Sequence, residues 1–377
     1  MKYKSCIRVT QFALFMVSGL YVDGITLAPC CFGSGTSGVR IPGITFADTP
    51  RETMRNFAKL RKSLLDEATI PAKAASKNRL TSLCEKCPFY QEAEWQPSKR
   101  IQVVTFAMYP APCQSKCRYC TICIHNPIAK NDRFDEELHG PLYEHYFELL
   151  QYARRNKLIA HDATYEVGSG EISIHPYKDK ILDFVKGQTT VFLTNGFVYN
   201  EKIAAHLSTN PSSCIYCSLD AGTAETWRRV KGVDTFDMAM ETLAKYCAKA
   251  AQPKQIVLKY IILPDINTNQ DDYEAVVQIL KRLGLRRLVI AGDVTMNKQE
   301  QLDKTIDAAG HLLATLQRNG IEAGWDAFNP NALAESYCLS QSTQYCVHAL
   351  YSEIVENRLV SSPNRALGAF QAKAKYQ

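Results

Sequence analysis

From residue 101 to residue 328 the sequence alternates between short apolar, β-favouring runs and longer runs of helical periodicity, and this alternation constrains the fold more than any other feature. The strand candidates are Ile101–Met108, Thr164–Gly168, Thr189–Thr194, Ser213–Asp220, Gln255–Leu263 and Arg287–Gly292, with a weaker Ile321–Phe328. Between them the spacing predicts helices over Phe134–Asn156, Tyr177–Lys186, Asn200–Leu207, Phe236–Ala250, Asp271–Leu283 and Lys298–Arg318. In one of these, Ile279, Leu280 and Leu283 face inward while Lys281 and Arg282 face water. Strand and helix in alternation imply a parallel sheet wrapped by helices. Six or seven such units suit a partial (β/α)6, TIM-like barrel, with a doubly wound open sheet as the alternative. A hydrophobic content of 46% supplies ample core and excludes disordered, collagenous and coiled-coil chains.

Residues 1–100 do not follow the alternation. Lys2, Lys4 and Arg8 precede an uncharged stretch, Phe12–Val22, an arrangement shared with secretory signals, and Leu27-Ala28-Pro29-Cys30 is faintly similar to a lipoprotein cleavage site. The stretch is interrupted at Ser18-Gly19 and resumes after Asp23-Gly24 as Ile25-Thr26-Leu27, so a hairpin about Asp-Gly is the favoured reading. A Gly/Ser/Thr-rich loop (31–43) and a basic helical stretch follow. Arg51–Leu80 holds eight Lys/Arg against three Asp/Glu, a surplus of five where the whole chain has six. A solvated helix face is the simpler account of it and a docking surface for an anionic partner the sharper one. No segment approaches the ~20 apolar residues that span a bilayer.

The chain contains 14 cysteines. A protein of this size does not need disulfides to build a core, and grouped cysteines in a large chain more often hold metal or do redox chemistry. Immediately after the first strand of the alternating region comes MYPAPCQSKCRYCTIC (108–123), with Cys113, Cys117 and Cys120 separated by three and then two residues. Close thiolates on one loop converge on a soft metal centre, iron–sulfur or zinc. Structural zinc sites favour four ligands, often as two Cys-x2-Cys pairs, and this uneven triplet does not match them. Cys123 is read as a buried thiol; as a fourth ligand it would close the site into a structural or electron-transfer centre. His125 is read as a hydrogen-bonded loop residue.

The Cys-x3-Cys-x2-Cys triplet, with aromatic Tyr119 before its last cysteine and its place after the first strand, resembles the radical S-adenosylmethionine (radical SAM) superfamily over roughly residues 100–330. Three segments are similar to that family in order. EVGSGEISIHP (166–176) resembles its Gly-Gly-Glu-Pro motif, with Ser169 in place of a glycine and no proline directly after Glu171. VFLTNG (191–196) ends the third strand. CSLDAGTAETWRRVKG (217–232) ends the fourth and carries the polar pair Ser218 and Asp220, then Glu225, Thr226 and Gly232. The resemblance implies that Cys113, Cys117 and Cys120 anchor a [4Fe–4S] cluster whose open iron binds S-adenosylmethionine. An electron from the reduced cluster would cleave the sulfonium, and the resulting 5′-deoxyadenosyl radical would take a hydrogen atom from a substrate. Tyr119, Gly168, Gly170, Glu171, Thr194, Asn195, Ser218 and Asp220 are the implied cofactor contacts, with the two glycines admitting the ligand to the backbone and Glu171 accepting from its ammonium group.

Cys30, Cys31, Cys84 and Cys87 lie outside the barrel region. The hairpin, the cysteine pair, the glycine-rich loop and the distant Cys-x2-Cys resemble a SPASM or twitch auxiliary-cluster domain, here ahead of the barrel rather than after it. This implies a second [4Fe–4S] cluster on Cys84 and Cys87 with Cys30 or Cys31, and Cys6 as a candidate fourth ligand; a zinc knuckle is the alternative. Cys338 and Cys346 are further candidates for that site, whereas Cys214, Cys217 and Cys247 read as buried thiols. The expected organisation is an auxiliary domain over 1–99, the barrel over 100–330 and a C-terminal extension over 331–377. The expected substrate is a peptide or protein, with a sugar or other small molecule and nucleic acid as alternatives. An electron donor such as flavodoxin or ferredoxin is implied, no membrane partner is expected, and an oxygen-sensitive cluster favours the cytoplasm. A non-enzymatic zinc or iron–sulfur protein is the reading from another class.

Overall fold

The computed structural model describes residues 3–18, 25–29, 43–68, 90–93, 96–106, 111–120, 135–168, 170–293 and 299–325. Among them the strands are β1 (Tyr3–Cys6), β2 (Ala13–Ser18), β3 (Ile25–Ala28), β4 (Tyr90–Ala93), β5 (Ile101–Thr105), β6 (Ile159–Val167), β7 (Thr190–Thr194), β8 (Cys214–Ser218), β9 (Ile256–Ile262), β10 (Arg287–Gly292) and β11 (Glu322–Trp325). The helices are α1 (Ile7–Thr10), α2 (Pro50–Ala68), α3 (Glu136–Arg155), α4 (Lys178–Phe184), α5 (Glu201–Thr209), α6 (Ala224–Lys231), α7 (Phe236–Lys249), α8 (Gln270–Arg282) and α9 (Gln299–Arg318). A nine-stranded sheet has the order β11-β10-β9-β8-β7-β6-β5-β2-β3. From β5 to β11 each strand lies beside its neighbour in sequence. That is the singly wound topology of a partial (β/α) barrel; a doubly wound sheet would reverse its order at a switch point.

The chain divides into two compact units, one of residues 1–114, 125–194 and 200–215, the other of residues 115–124, 195–199 and 216–377. In the first unit β2 and β3 pair antiparallel, Phe15 opposite Ala28 and Ser18 opposite Ile25, which is the hairpin expected around Asp23-Gly24. Strand β2 also pairs parallel with β5, Ala13 opposite Val103, so the sheet continues into the segment ahead of residue 100. Ala13 and Leu14 are fully buried there. Strand β6 begins at Ile159, earlier than its apolar pattern predicts, because exposed His161 and Asp162 interrupt the alternation within it. Strands β1 and β4 form a separate antiparallel pair, with Cys6 opposite Tyr90. The basic stretch is helical over α2, with Arg61 turned inward to donate to the Val9 and Thr10 carbonyls. Exposed Arg55 and Lys62 pair with Glu52 and Asp66, as on a solvated face. None of the described helices is long and apolar enough to cross a membrane.

In the second unit β9, β10 and β11 are parallel, with Leu288 opposite both Leu258 and Ala323. Helix α8 is capped by Asn269, whose Oδ1 accepts from the Asp272 N–H at 2.8 Å, and it buries Ile279 and Leu280. The sequence pattern did not isolate α6. It is eight residues long, capped by Thr223 at its start and closed by Gly232 in the left-handed conformation, and it buries Trp227 and Val230.

Just beyond β6, His175 is buried against Tyr143. Its Nδ1 accepts from the Tyr177 N–H at 3.0 Å, which leaves the proton on Nε2 to donate to the Tyr143 hydroxyl at 2.9 Å. Burial, reinforced by Lys178, pulls its pKa down from 6.5 to about 4. The folded pKa lies below the unfolded one, so the neutral ring stabilises the fold fully above about pH 6.5, and that stability drains away as pH falls toward 4. A depression of this size corresponds to about 3 kcal/mol. Thermal midpoints measured between pH 7 and 4 are expected to fall more steeply for the wild type than for a His175→Gln variant; parallel curves would show that the histidine does not set this dependence.

Candidate active site

The described part of the cysteine loop runs from Ala111 to Cys120. Cys113, Cys117 and Cys120 are each partly exposed. The Cys120 N–H donates to the Cys117 carbonyl at 3.1 Å, and the turn so closed puts the last two thiols of the triplet on one bend of chain. The Ser115 hydroxyl lies 2.8 Å from Cys117 Sγ.

Within the first unit, the end of β6 and the start of the loop are pressed together. The Glu171 N–H donates to the Pro112 carbonyl at 2.7 Å. Gly170 has φ +65°, and a Cβ there would lie 2.3 Å from Pro112 O and 2.8 Å from Ala111 O. A Cβ on Gly168 would lie 2.5 Å from the Leu193 Cβ. Both glycines of the motif therefore allow a close approach, and what approaches is protein: Gly168 meets β7 and Gly170 meets the cysteine loop. Glu171 is fully buried. Its Oε1 accepts from the Ser173 N–H at 3.0 Å, the Ser173 hydroxyl at 2.7 Å and the Thr194 hydroxyl at 2.8 Å, so it caps a short 3-10 turn and ties that turn to the end of β7.

Within the second unit, the rest of the loop is stitched to the end of α6. The N–H groups of Lys116 and Arg118 donate to the carbonyls of Lys231 and Val230 at 2.8 and 3.0 Å. Gly232, at φ +68°, leaves room for Lys116, whose Cβ and carbonyl oxygen would sit 2.9 and 3.0 Å from an added Cβ. Asp220 is fully buried at φ +55°, a conformation that Asp tolerates better than most residues. Its Oδ1 accepts from the Ile261 N–H at 2.7 Å, and its Oδ2 accepts from both Lys231 Nζ and the Tyr119 hydroxyl at 2.5 Å. Burial, together with the Asp220 and Cys117 charges, keeps Tyr119 protonated. Asn195 opens a turn, its Oδ1 accepting from the Phe197 N–H at 3.0 Å, and remains partly exposed, as does Ser218 at the end of β8.

Of the expected cofactor contacts, Tyr119, Gly170, Asn195 and Ser218 are partly exposed, while Gly168, Glu171, Thr194 and Asp220 are buried. Both oxygens of the Asp220 carboxylate, one of the implied cofactor contacts, accept from protein donors. Lys231, absent from the sequence-derived set, is the buried cation that Asp220 and Tyr119 enclose. Its only sequence signal is a basic residue at the end of a helix, directly before Gly232. Cys217 is buried, and burial raises the thiols of Cys214 and Cys247 to about 11, as expected of unreactive core cysteines. Cys30, Cys31, Cys84, Cys87, Cys123, His125, Cys338 and Cys346 lie outside the described residues, and of Cys6 only the backbone is described.

The donor set fits an iron–sulfur cluster. Three partly exposed cysteines share one short loop, and soft sulfur donors suit such a centre. Beside Cys113, the buried Gln114 Oε1 has no hydrogen-bond partner among the described residues, leaving an acceptor for a bound group. Among the described residues no three His, Cys, Asp or Glu side chains gather round a single ion. A cubane does not ask for that, because each thiolate binds its own iron.

The chain is similar to several solved structures. It aligns with SuiB of Streptococcus suis at 12% identity and a TM-score of 0.42, over 74% of this chain and 55% of that one. A second SuiB structure, bound to its precursor peptide SuiA, gives 12% identity and a TM-score of 0.43 over 86% and 72%. A structure of anSMEcpe with bound AdoMet and a Kp18Cys peptide gives 14% and 0.42 over 59% and 63%, so the chain spans little more than half the length of some of these proteins. No family model and no curated protein matches the sequence.

Proposed function

We propose that this chain is a radical SAM enzyme, with Cys113, Cys117 and Cys120 holding the catalytic [4Fe–4S] cluster. The observation that carries the reading is the cysteine loop. It carries three partly exposed cysteines and is held to the end of β6 by Gly170 and Glu171, and to the end of α6 by Val230 and Lys231. When bound, the cluster and S-adenosylmethionine supply reductive sulfonium cleavage and hydrogen-atom abstraction, chemistry that belongs to the cofactors. The chain's own residues bind and orient. Gly170 lets the loop pack against the second strand, Glu171 and Thr194 fix the ends of β6 and β7, and Asn195 and Ser218 remain accessible for polar contacts to a ligand. Gln114 offers a buried amide oxygen to a ligand donor. An electron donor such as flavodoxin or ferredoxin would reduce the cluster.

The substrate class we favour is a peptide or protein, supported by the resemblance of the N-terminal cysteine pattern to auxiliary-cluster domains that accompany peptide-modifying members. Cys84 and Cys87 with Cys30 or Cys31 would hold that second cluster, in an auxiliary domain over 1–99 ahead of a barrel over 100–330. The test is anaerobic reconstitution of the full chain, followed by dithionite and S-adenosylmethionine. We expect 5′-deoxyadenosine to be released, with about eight irons per chain if both sites fill and about four if only the catalytic one does. Iron uptake without any 5′-deoxyadenosine would leave a closed iron–sulfur protein instead.

A further inference from the structure

Lys231, the last residue of α6, is 1% exposed. Its Nζ donates to Asp220 Oδ2 at 2.5 Å, to the Ser218 carbonyl at 2.7 Å and to the Tyr119 hydroxyl at 2.7 Å, and it lies 5.2 and 5.4 Å from the ring centres of Tyr119 and Trp227. Burial opposes the charged form, and the buried Asp220 carboxylate paired directly with it offsets that cost, so the group is held as an ammonium. Buried ion pairs seldom stabilise a fold more than apolar residues of the same size would, and fixing one geometry is a better-supported use for them. Here the geometry concerns the cysteine loop. Tyr119 sits inside the turn between Cys117 and Cys120, and its hydroxyl donates to Asp220 while accepting from Lys231. The same lysine reaches the end of β8 through Ser218, and its backbone carbonyl accepts from Lys116. Asp220 is itself anchored by the Ile261 N–H, and its carbonyl accepts from Asn267 Nδ2 at 2.9 Å. The turn that carries two of the three thiols is thus tied to β8 and β9 through one ammonium and one carboxylate.

We propose that Lys231 is a positioning residue for the cluster: through Tyr119 it fixes the Cys117–Cys120 turn against the end of β8, and it holds a positive charge against the tyrosine of that turn. This rests on the radical SAM reading. A cluster on three thiolates is anionic and becomes more so on reduction, so a nearby fixed cation favours the reduced form.

The test uses the reconstituted full chain carrying Tyr119→Phe or Lys231→Met, read by iron loss to a chelator and by the reduced-to-oxidised ratio of the cluster at a fixed applied potential. Tyr119→Phe removes one hydroxyl and leaves the ion pair. Lys231→Met leaves the Asp220 carboxylate unpaired, and if that chain does not fold, Asp220→Asn/Lys231→Met removes both charges together and takes its place. We expect both variants to lose iron at least tenfold faster than wild type. In Lys231→Met the reduced-to-oxidised ratio should fall at least tenfold, about 59 mV for a one-electron couple. Wild-type iron retention and an unchanged ratio in the variants would overturn the role of Lys231. A wild-type chain that takes up no cluster would instead overturn the enzyme reading on which it rests.

Discussion

Replacing Cys113, Cys117 and Cys120 together by alanine is expected to remove about four irons per reconstituted chain and to reduce 5′-deoxyadenosine release to background. The three cysteines share the loop that follows β5, so the variant deletes the triplet of sulfur donors while leaving the packed sheet intact. Neither the Ser115 hydroxyl beside Cys117 nor the Gln114 amide beside Cys113 can replace a thiolate on iron. Cys214, Cys217 and Cys247 belong to core elements and would not substitute. Iron counting and product analysis on the same samples decide the matter: a triple variant that still releases 5′-deoxyadenosine would place the cluster elsewhere in the chain.

The second large effect is expected at Gly170. An alanine there must adopt φ +65°, which costs about 1 kcal/mol for an L-residue. Its Cβ must also enter the space 2.3 Å from the Pro112 carbonyl oxygen. The neighbour is backbone, one residue before Cys113, and cannot rotate away as a side chain could. Relief therefore comes from moving the cysteine loop. We expect Gly170→Ala to cut cluster loading and S-adenosylmethionine cleavage at least tenfold. Gly187→Ala supplies the control: φ is +75° there, and nothing lies within 4 Å of the added atom. That variant should show only the backbone strain, as a small drop in thermal midpoint with normal iron content. Equal iron loading in the two variants would mean that the Gly170 contact does not hold the loop.

Much of the fold was legible because it rests on periodicity. The predicted strands Thr189–Thr194, Gln255–Leu263 and Arg287–Gly292 coincide within a residue with β7, β9 and β10, since in each a β-favouring run is bounded by turn or helix-start residues. Helix α6 escaped because eight residues give barely two turns of pattern, and its arginines and lysine mask the apolar pair Trp227 and Val230. The first part of β6 escaped because exposed His161 and Asp162 sit within the strand, where only pairing with neighbours identifies them as strand residues.

The candidate site divides in the same way. Spacing alone picked out Cys113, Cys117 and Cys120, because close thiolates are a chemical signature that needs no coordinates. It could not say that Gly168 packs against β7 and Gly170 against the cysteine loop, that Asp220 accepts from Tyr119, Lys231 and Ile261, or that Lys231 is buried among them. Those facts depend on groups such as Tyr119, Asp220 and Lys231, which are far apart in sequence and brought together only by the packing of β8, β9 and α6.

By itself the sequence determined the alternation, the thiol triplet and the polar residues at the strand ends, all local properties of a chain. Only the tertiary structure decided that the N-terminal hairpin joins the sheet, which buried carboxylates serve the protein and which cation sits beneath the cysteine turn. Hydrogen bonds and burial between distant segments exist only once the chain has closed on itself, and no local pattern encodes them.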